Sequence, residues 1–132
     1  MERWSELSPD ERNKIVADTI MDGEPGRYTE DLNEAYRVAA AMTFAPHGKR
    51  EWQQLHLGIS PMSTGQQISR CHAYFGPNPE TGIFLGAPTP PQAICLEALN
   101  KFGVQFEDGE QLYTSERETG GKRGRLVSIE YN

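Results

Sequence analysis

The chain has 132 residues, of which 36% are apolar and 24% charged, and its 19 acidic and 13 basic side chains give a net charge of −6. This length suits one domain with its own core. No apolar run approaches the roughly 18 residues of a membrane span, and the composition is not the charge-rich, aromatic-poor one of a disordered chain. The charge is uneven: residues 1–42 hold ten acids and five bases, residues 43–106 three acids and four bases, and residues 107–132 six acids and four bases. Acidic ends disfavour general binding to nucleic acid or an anionic membrane, which needs a basic surface. Met1-Glu2-Arg3-Trp4-Ser5 lacks the apolar stretch of a secretion signal, which predicts a cytoplasmic protein. Cys71 and Cys95 then stay reduced and are read as small buried hydrophobes.

Ser8-Pro9-Asp10-Glu11 combines a capping hydroxyl, a proline at the first helical position and a glutamate three residues after the cap. It predicts a helix over 9–21, stopped by Gly23, Pro25 and Gly26, with Ile15, Val16, Thr19 and Ile20 on one face. Thr29 is the predicted cap of a second helix, with Glu30 and Asp31 in its first turn and Leu32, Ala35, Tyr36, Ala39 and Met42 as its apolar stripe. The period then changes to two. Leu55, Leu57 and Ile59 alternate with Gln54, His56 and Gly58, and Cys71, Ala73 and Phe75 alternate with Arg70, His72 and Tyr74, so two strands form a hairpin.

Ile83-Phe84-Leu85 is a third, short strand. Thr89-Pro90-Pro91 opens a third helix with Ile94, Cys95, Ala98, Leu99 and Phe102 at helical spacing, ended by Gly103. Residues 111–114 and 125–131 form a C-terminal hairpin around Gly120-Gly121, with Leu126, Val127 and Ile129 as its apolar contacts. The expected fold is α+β: a single-domain sandwich, mainly antiparallel sheet packed against about three helices. Ile94, Ala98, Leu99 and Phe102 are expected on the sheet face that bears Leu55, Leu57, Cys71 and Phe75.

Three histidines (His47, His56, His72) and two cysteines invite a zinc reading, but no CxxC, HxxxH or HExxH spacing holds a tetrahedral site. A Cys–His nucleophile has no local signature either, and Cys71 alternates onto the apolar face, where a thiolate is costly. The carboxylates cluster at helix starts, where capping and the helix dipole account for them. No metal, cofactor or catalytic residue is therefore expected. Gly120-Gly121-Lys122-Arg123-Gly124-Arg125 admits two readings: a solvated hairpin tip, or a phosphate clamp in which backbone N–H groups and Lys122, Arg123 and Arg125 hold an anion. Strand parity puts Trp52, His56, Arg70, His72 and Tyr74 on the polar side of the hairpin. Aromatic planes with His and Arg donors are what stacking a base and holding a phosphate require. They are equally what a protein-binding surface or a wet polar face displays.

Three segments, 15–21 (Ile-Val-Ala-Asp-Thr-Ile-Met), 29–38 (Thr-Glu-Asp-Leu-Asn-Glu-Ala-Tyr-Arg-Val) and 87–99 (from Ala87-Pro88-Thr89-Pro90-Pro91 to Ala98-Leu99), occur in an order that resembles the phage ABA sandwich domain family of small phage and prophage accessory proteins. The resemblance covers about residues 7–102 and implies a sheet with helices packed on it; residues 107–132 fall outside it as a C-terminal hairpin extension. It also implies a phage-encoded, non-enzymatic accessory protein in the host cytosol. The expected function is to counter host defence by sequestering a nucleotide signalling molecule, which a homo-oligomer would serve. One alternative is an anti-CRISPR-like inhibitor that binds a host effector or nuclease, and a further one is a virion or assembly component.

Overall fold

The computed structural model describes residues 2–44, 55–59, 71–76, 83–119 and 122–131; at 44, 59, 83–84, 110–119 and 122–131 the description is of the backbone. Among the described residues three α-helices, α1 (Pro9–Thr19), α2 (Leu32–Phe44) and α3 (Pro90–Lys101), accompany five strands, β1 (Leu55–Ile59), β2 (Cys71–Phe75), β3 (Ile83–Ala87), β4 (Glu110–Thr119) and β5 (Lys122–Tyr131). The strands form one antiparallel sheet in sequence order, β1-β2-β3-β4-β5. The architecture is the expected α+β one. Residues 110–119 and 122–131 continue the same sheet, because β4 pairs with β3 from Ile83↔Tyr113 to Gly86↔Glu110. No described helix is long and apolar enough to cross a membrane.

α1 starts as its capping box predicts: Ser8 Oγ accepts from the Glu11 N–H at 3.1 Å, and Glu11 Oε1 accepts from the Ser8 N–H at 3.0 Å. It ends two residues before the predicted boundary. Asp22 (φ 53°) and Gly23 (φ 80°) then turn the chain in left-handed conformations, and the Gly23 N–H donates to the Ala17 carbonyl. The Gly23 N–H thereby satisfies a carbonyl that the end of the helix leaves open.

α2 departs from expectation in two ways. Its start is held by Asp31, whose carboxylate accepts from the Asn33 N–H at 2.8 Å and whose carbonyl accepts from Ala35. Thr29 is buried instead, donating its N–H and hydroxyl to Asn13 Oδ1 at 2.9 and 2.7 Å, which ties the α1–α2 connection to α1. The buried stripe is Ala35, Val38, Ala39 and Met42, whereas Leu32 and Tyr36 are 38% and 48% exposed. The reason is the neighbour: α2 packs on α3, and the small side chains of Ala35 and Ala39 let the two helices approach closely. A helical period alone does not choose between adjacent stripes.

α3 is the central layer. Thr89 Oγ1 accepts from Gln92 N–H at its start, and the helix packs on β2 and β3 on one side and α2 on the other. Being covered on both sides, it is buried at every position from Ala93 to Leu99, as expected of an internal helix. The expected main core forms here. Ile94, Ala98, Leu99, Cys71 and Phe75 are buried, and Leu55, Leu57 and Phe102 pack partly buried against them.

Trp4 is a core residue that no periodicity marks. A short 3-10 turn (Trp4–Glu6) buries its ring edge-on to Phe106 at 5.0 Å, beneath the Arg12 guanidinium. Its indole N–H donates to Gln92 Oε1 at 2.9 Å, and Asp108 accepts from the N–H groups of Trp4 and Ser5. The N-terminus is thereby fastened to the start of α3, through Gln92, and to the α3–β4 connection, through Phe106 and Asp108.

Candidate functional site

The residues singled out for ligand binding divide into three groups. Trp52 and Arg70 lie outside the described residues. His56, His72 and Tyr74 lie on β1 and β2, where the register sets His56 opposite Tyr74 and Gly58 opposite His72. Because Cys71, Ala73 and Phe75 are buried toward α3, strand alternation places His56, His72 and Tyr74 on the other side of the sheet, which is helix-free among the described residues.

These rings lie over glycines. A methyl group at Gly58 would overlap the His72 imidazole, and one at Gly76 would overlap the Tyr74 phenol. Each ring covers backbone that a larger residue would have lifted it from, which is how aromatic side chains compensate for glycine in sheets. His56 stacks on Tyr74 with ring centres 5.9 Å apart and planes inclined by 24°. Its Nε2 is 3.1 Å from the Gly76 carbonyl; the carbonyl can only accept, so that nitrogen carries the proton. The Lys101 ammonium, from the last residue of α3, is 5.4 Å from the Tyr74 ring centre. Two cation- or donor-bearing side chains thus flank one aromatic ring.

Behind this face is Glu97, which the sequence pattern does not single out. Pairing between β2 and β3 covers Cys71↔Ala87 to Ala73↔Leu85, and the Phe75 N–H beyond it donates to Glu97 Oε2 at 2.8 Å. Asn100 Nδ2 is 3.5 Å from the other carboxylate oxygen. Burial pushes the Glu97 carboxyl up to about 7, against the lowering effects of the Phe75 N–H, Lys101 and Asn100. Tyr74 is raised as well, by burial first and then by the charge of Glu97. The signal for Glu97 was present: one carboxylate stands inside the otherwise apolar run from Ala93 to Leu99, and buried charges are rare unless partnered.

Lys122, Arg123 and Arg125 form the third group, at the start of β5, the strand at the opposite edge from β1. Three strand spacings separate β5 from β2, about 14 Å at 4.8 Å each. The register sets Arg123 opposite Glu118 and Arg125 opposite Glu116. Both pairs share one side of the β4–β5 ribbon, and Lys122 lies on the other. The sheet therefore gathers His56, His72 and Tyr74 into one surface and carries the three cations on a separate ribbon.

The cysteines have a structural explanation. Both are free and buried, Cys95 Sγ donates to the Tyr28 carbonyl at 3.2 Å, and burial raises both thiols above their ordinary value. A thiol raised in this way is a poor nucleophile at neutral pH. An open cleft of about 460 Å³ between α1 and residues 23–27 is lined by Asp10, Lys14, Asp18 and Arg27. Both of its cations are engaged locally: Lys14 pairs with Asp18, and Arg27 with Glu30. Searches against family models, curated proteins and solved structures find no match to this chain.

Proposed function

We propose that the protein is a non-enzymatic binding protein that sequesters a nucleotide-type ligand on the helix-free face of β1 and β2. The observation that carries this reading is the β1–β2 register, which gathers His56, His72 and Tyr74 on one surface with the Lys101 ammonium beside the Tyr74 ring. Aromatic planes next to imidazole and ammonium groups suit a base and its phosphate or ribose. The resemblance to phage accessory proteins supplies the setting, in which holding a host defence signal without cleaving it is a sufficient function.

Calorimetry with a panel of cyclic dinucleotides and ADP-ribose isomers tests the reading. One of them is expected to bind, and Tyr74→Ala to weaken it roughly tenfold or more, since stacking contributes about 1 to 3 kcal/mol per base. If none binds below millimolar concentration while the protein co-purifies with a host nuclease or effector, an anti-CRISPR-like inhibitor takes the place of the sponge. The exposed Leu32 and Tyr36, one turn apart on α2 in the acidic first third of the chain, are the specific observation in favour of that second reading.

A further inference from the structure

In β2 and β3 the buried side chains share the side facing α3, whereas β4 and β5 carry apolar residues on both sides of the sheet. On the side facing α3, β2 and β3 carry buried apolar residues such as Phe75 and Leu85. Following the register outward, that side carries Gln111 and Tyr113 on β4 and Glu130, Ser128 and Leu126 on β5. The other side, helix-free among the described residues, carries Phe84, Leu112 and Ile129 in one cross-strand row, with Val127 in the next. An antiparallel sheet with one wet face normally has its apolar residues on the covered face.

β5 is also the last strand. It is ten residues long, and among the described residues no further strand meets its outer edge. A long unpaired edge is a template for another chain. Two copies pairing antiparallel about a two-fold axis perpendicular to the sheet keep the same side of the sheet facing the same way, so opposed residues must share parity. Glu130 is the only acid in β5, and Lys122 is the only base on its side of the strand. One register alone opposes them: centred on Leu126, it sets Lys122 of each copy against Glu130 of the other.

We propose that β5 is a homodimer interface, in which two copies join their β5 strands antiparallel about Leu126 into one continuous ten-stranded sheet. The pairing satisfies the free edge, forms the Lys122–Glu130 contact twice, and makes one uninterrupted surface of the two helix-free faces. The proposal stands apart from the ligand reading.

Light scattering and native mass spectrometry on the full chain at micromolar concentration test it, with circular dichroism to confirm that each variant folds. The wild type is expected as a dimer. Glu130→Lys opposes like charges twice and is expected to raise the dimer dissociation constant about tenfold or more. Lys122→Glu, at the first residue of the strand, is expected to do the same, and the Lys122→Glu/Glu130→Lys double variant to restore the dimer. A monomeric wild type overturns the proposal. So does a dimer indifferent to both single changes, or one that the double variant does not restore.

Discussion

The two halves of the sheet obey different rules. In β2 and β3 Cys71, Ala73, Phe75, Leu85 and Ala87 are buried beneath α3, and α3 is covered in turn by α2, so three layers share one core. In β4 and β5 apolar residues fall on both sides, Tyr113 and Leu126 on the side facing α3 and Leu112, Val127 and Ile129 on the other, and the outer part of the ribbon, from Thr114↔Val127 to Thr119↔Lys122, extends beyond the pairing with β3. The contrast separates two origins of order. The first half is held by burial of apolar surface, which is large and non-directional. The second is held by its hairpin ladder and by cross-strand pairs, each small.

The largest expected effect lies in the layered half. Leu99 is fully buried in α3, and its carbonyl accepts the Val104 N–H at the turn beyond the helix. Leu99→Ala should destabilise the fold by about 2 to 5 kcal/mol, as large-to-small core changes do. Denaturant unfolding measures this directly. A loss near zero would mean that the layer between sheet and α2 is not the core.

Glu97 gives the next effect, in the same half. Its carboxyl is raised from an ordinary value of 4.5 to about 7, chiefly by burial. Between those two values the folded chain keeps a proton that the unfolded chain has released. The contribution of Glu97 to stability is therefore fully present below about pH 4.5 and is lost as pH rises through about 7. At about 1.4 kcal/mol per unit the whole change is of order 3 kcal/mol. Melting temperatures between pH 4.5 and 7.5 should fall more steeply for the wild type than for Glu97→Gln, which keeps an acceptor for the Phe75 N–H. Parallel curves would mean that Glu97 is ionised throughout.

What was legible in the sequence follows the same division. The helix starts at Ser8 and Thr89 were readable because capping is local chemistry: Ser8, Glu11 and Thr89 find their partners within three residues. The β1 and β2 alternation was readable because one face is buried. The stripe of α2 was misread at Leu32 and Tyr36, since its neighbour is a helix whose position no local pattern encodes. Trp4 was missed because its partners, Gln92, Phe106 and Asp108, are some ninety to one hundred residues away. Of the candidate site, parity placed His56, His72 and Tyr74 together, but the distance from them to Lys122, Arg123 and Arg125 depends on strand order across the sheet. Glu97 required knowing that β2 ends its pairing with β3 one residue before Tyr74.

The smallest expected effect belongs to the ribbon, and it separates the two readings of its cations. Glu116 opposes Arg125 and Glu118 opposes Arg123 on the same side of β4–β5. If these pairs are a ladder that stabilises the hairpin, a double-mutant cycle with Glu116→Ala and Arg125→Ala should return a coupling of about 0.2 to 1 kcal/mol, reduced at high salt. In that case the single Arg125→Ala change should leave nucleotide affinity untouched, because the arginine is already occupied and stands three strands from Tyr74. If the arginines clamp a phosphate instead, the coupling should be close to zero. Binding should then weaken with Arg125→Ala and lose part of its salt dependence, since one phosphate contact has gone. Measuring stability and affinity on the same four proteins decides between them, because the ladder and the clamp require the guanidinium at different partners.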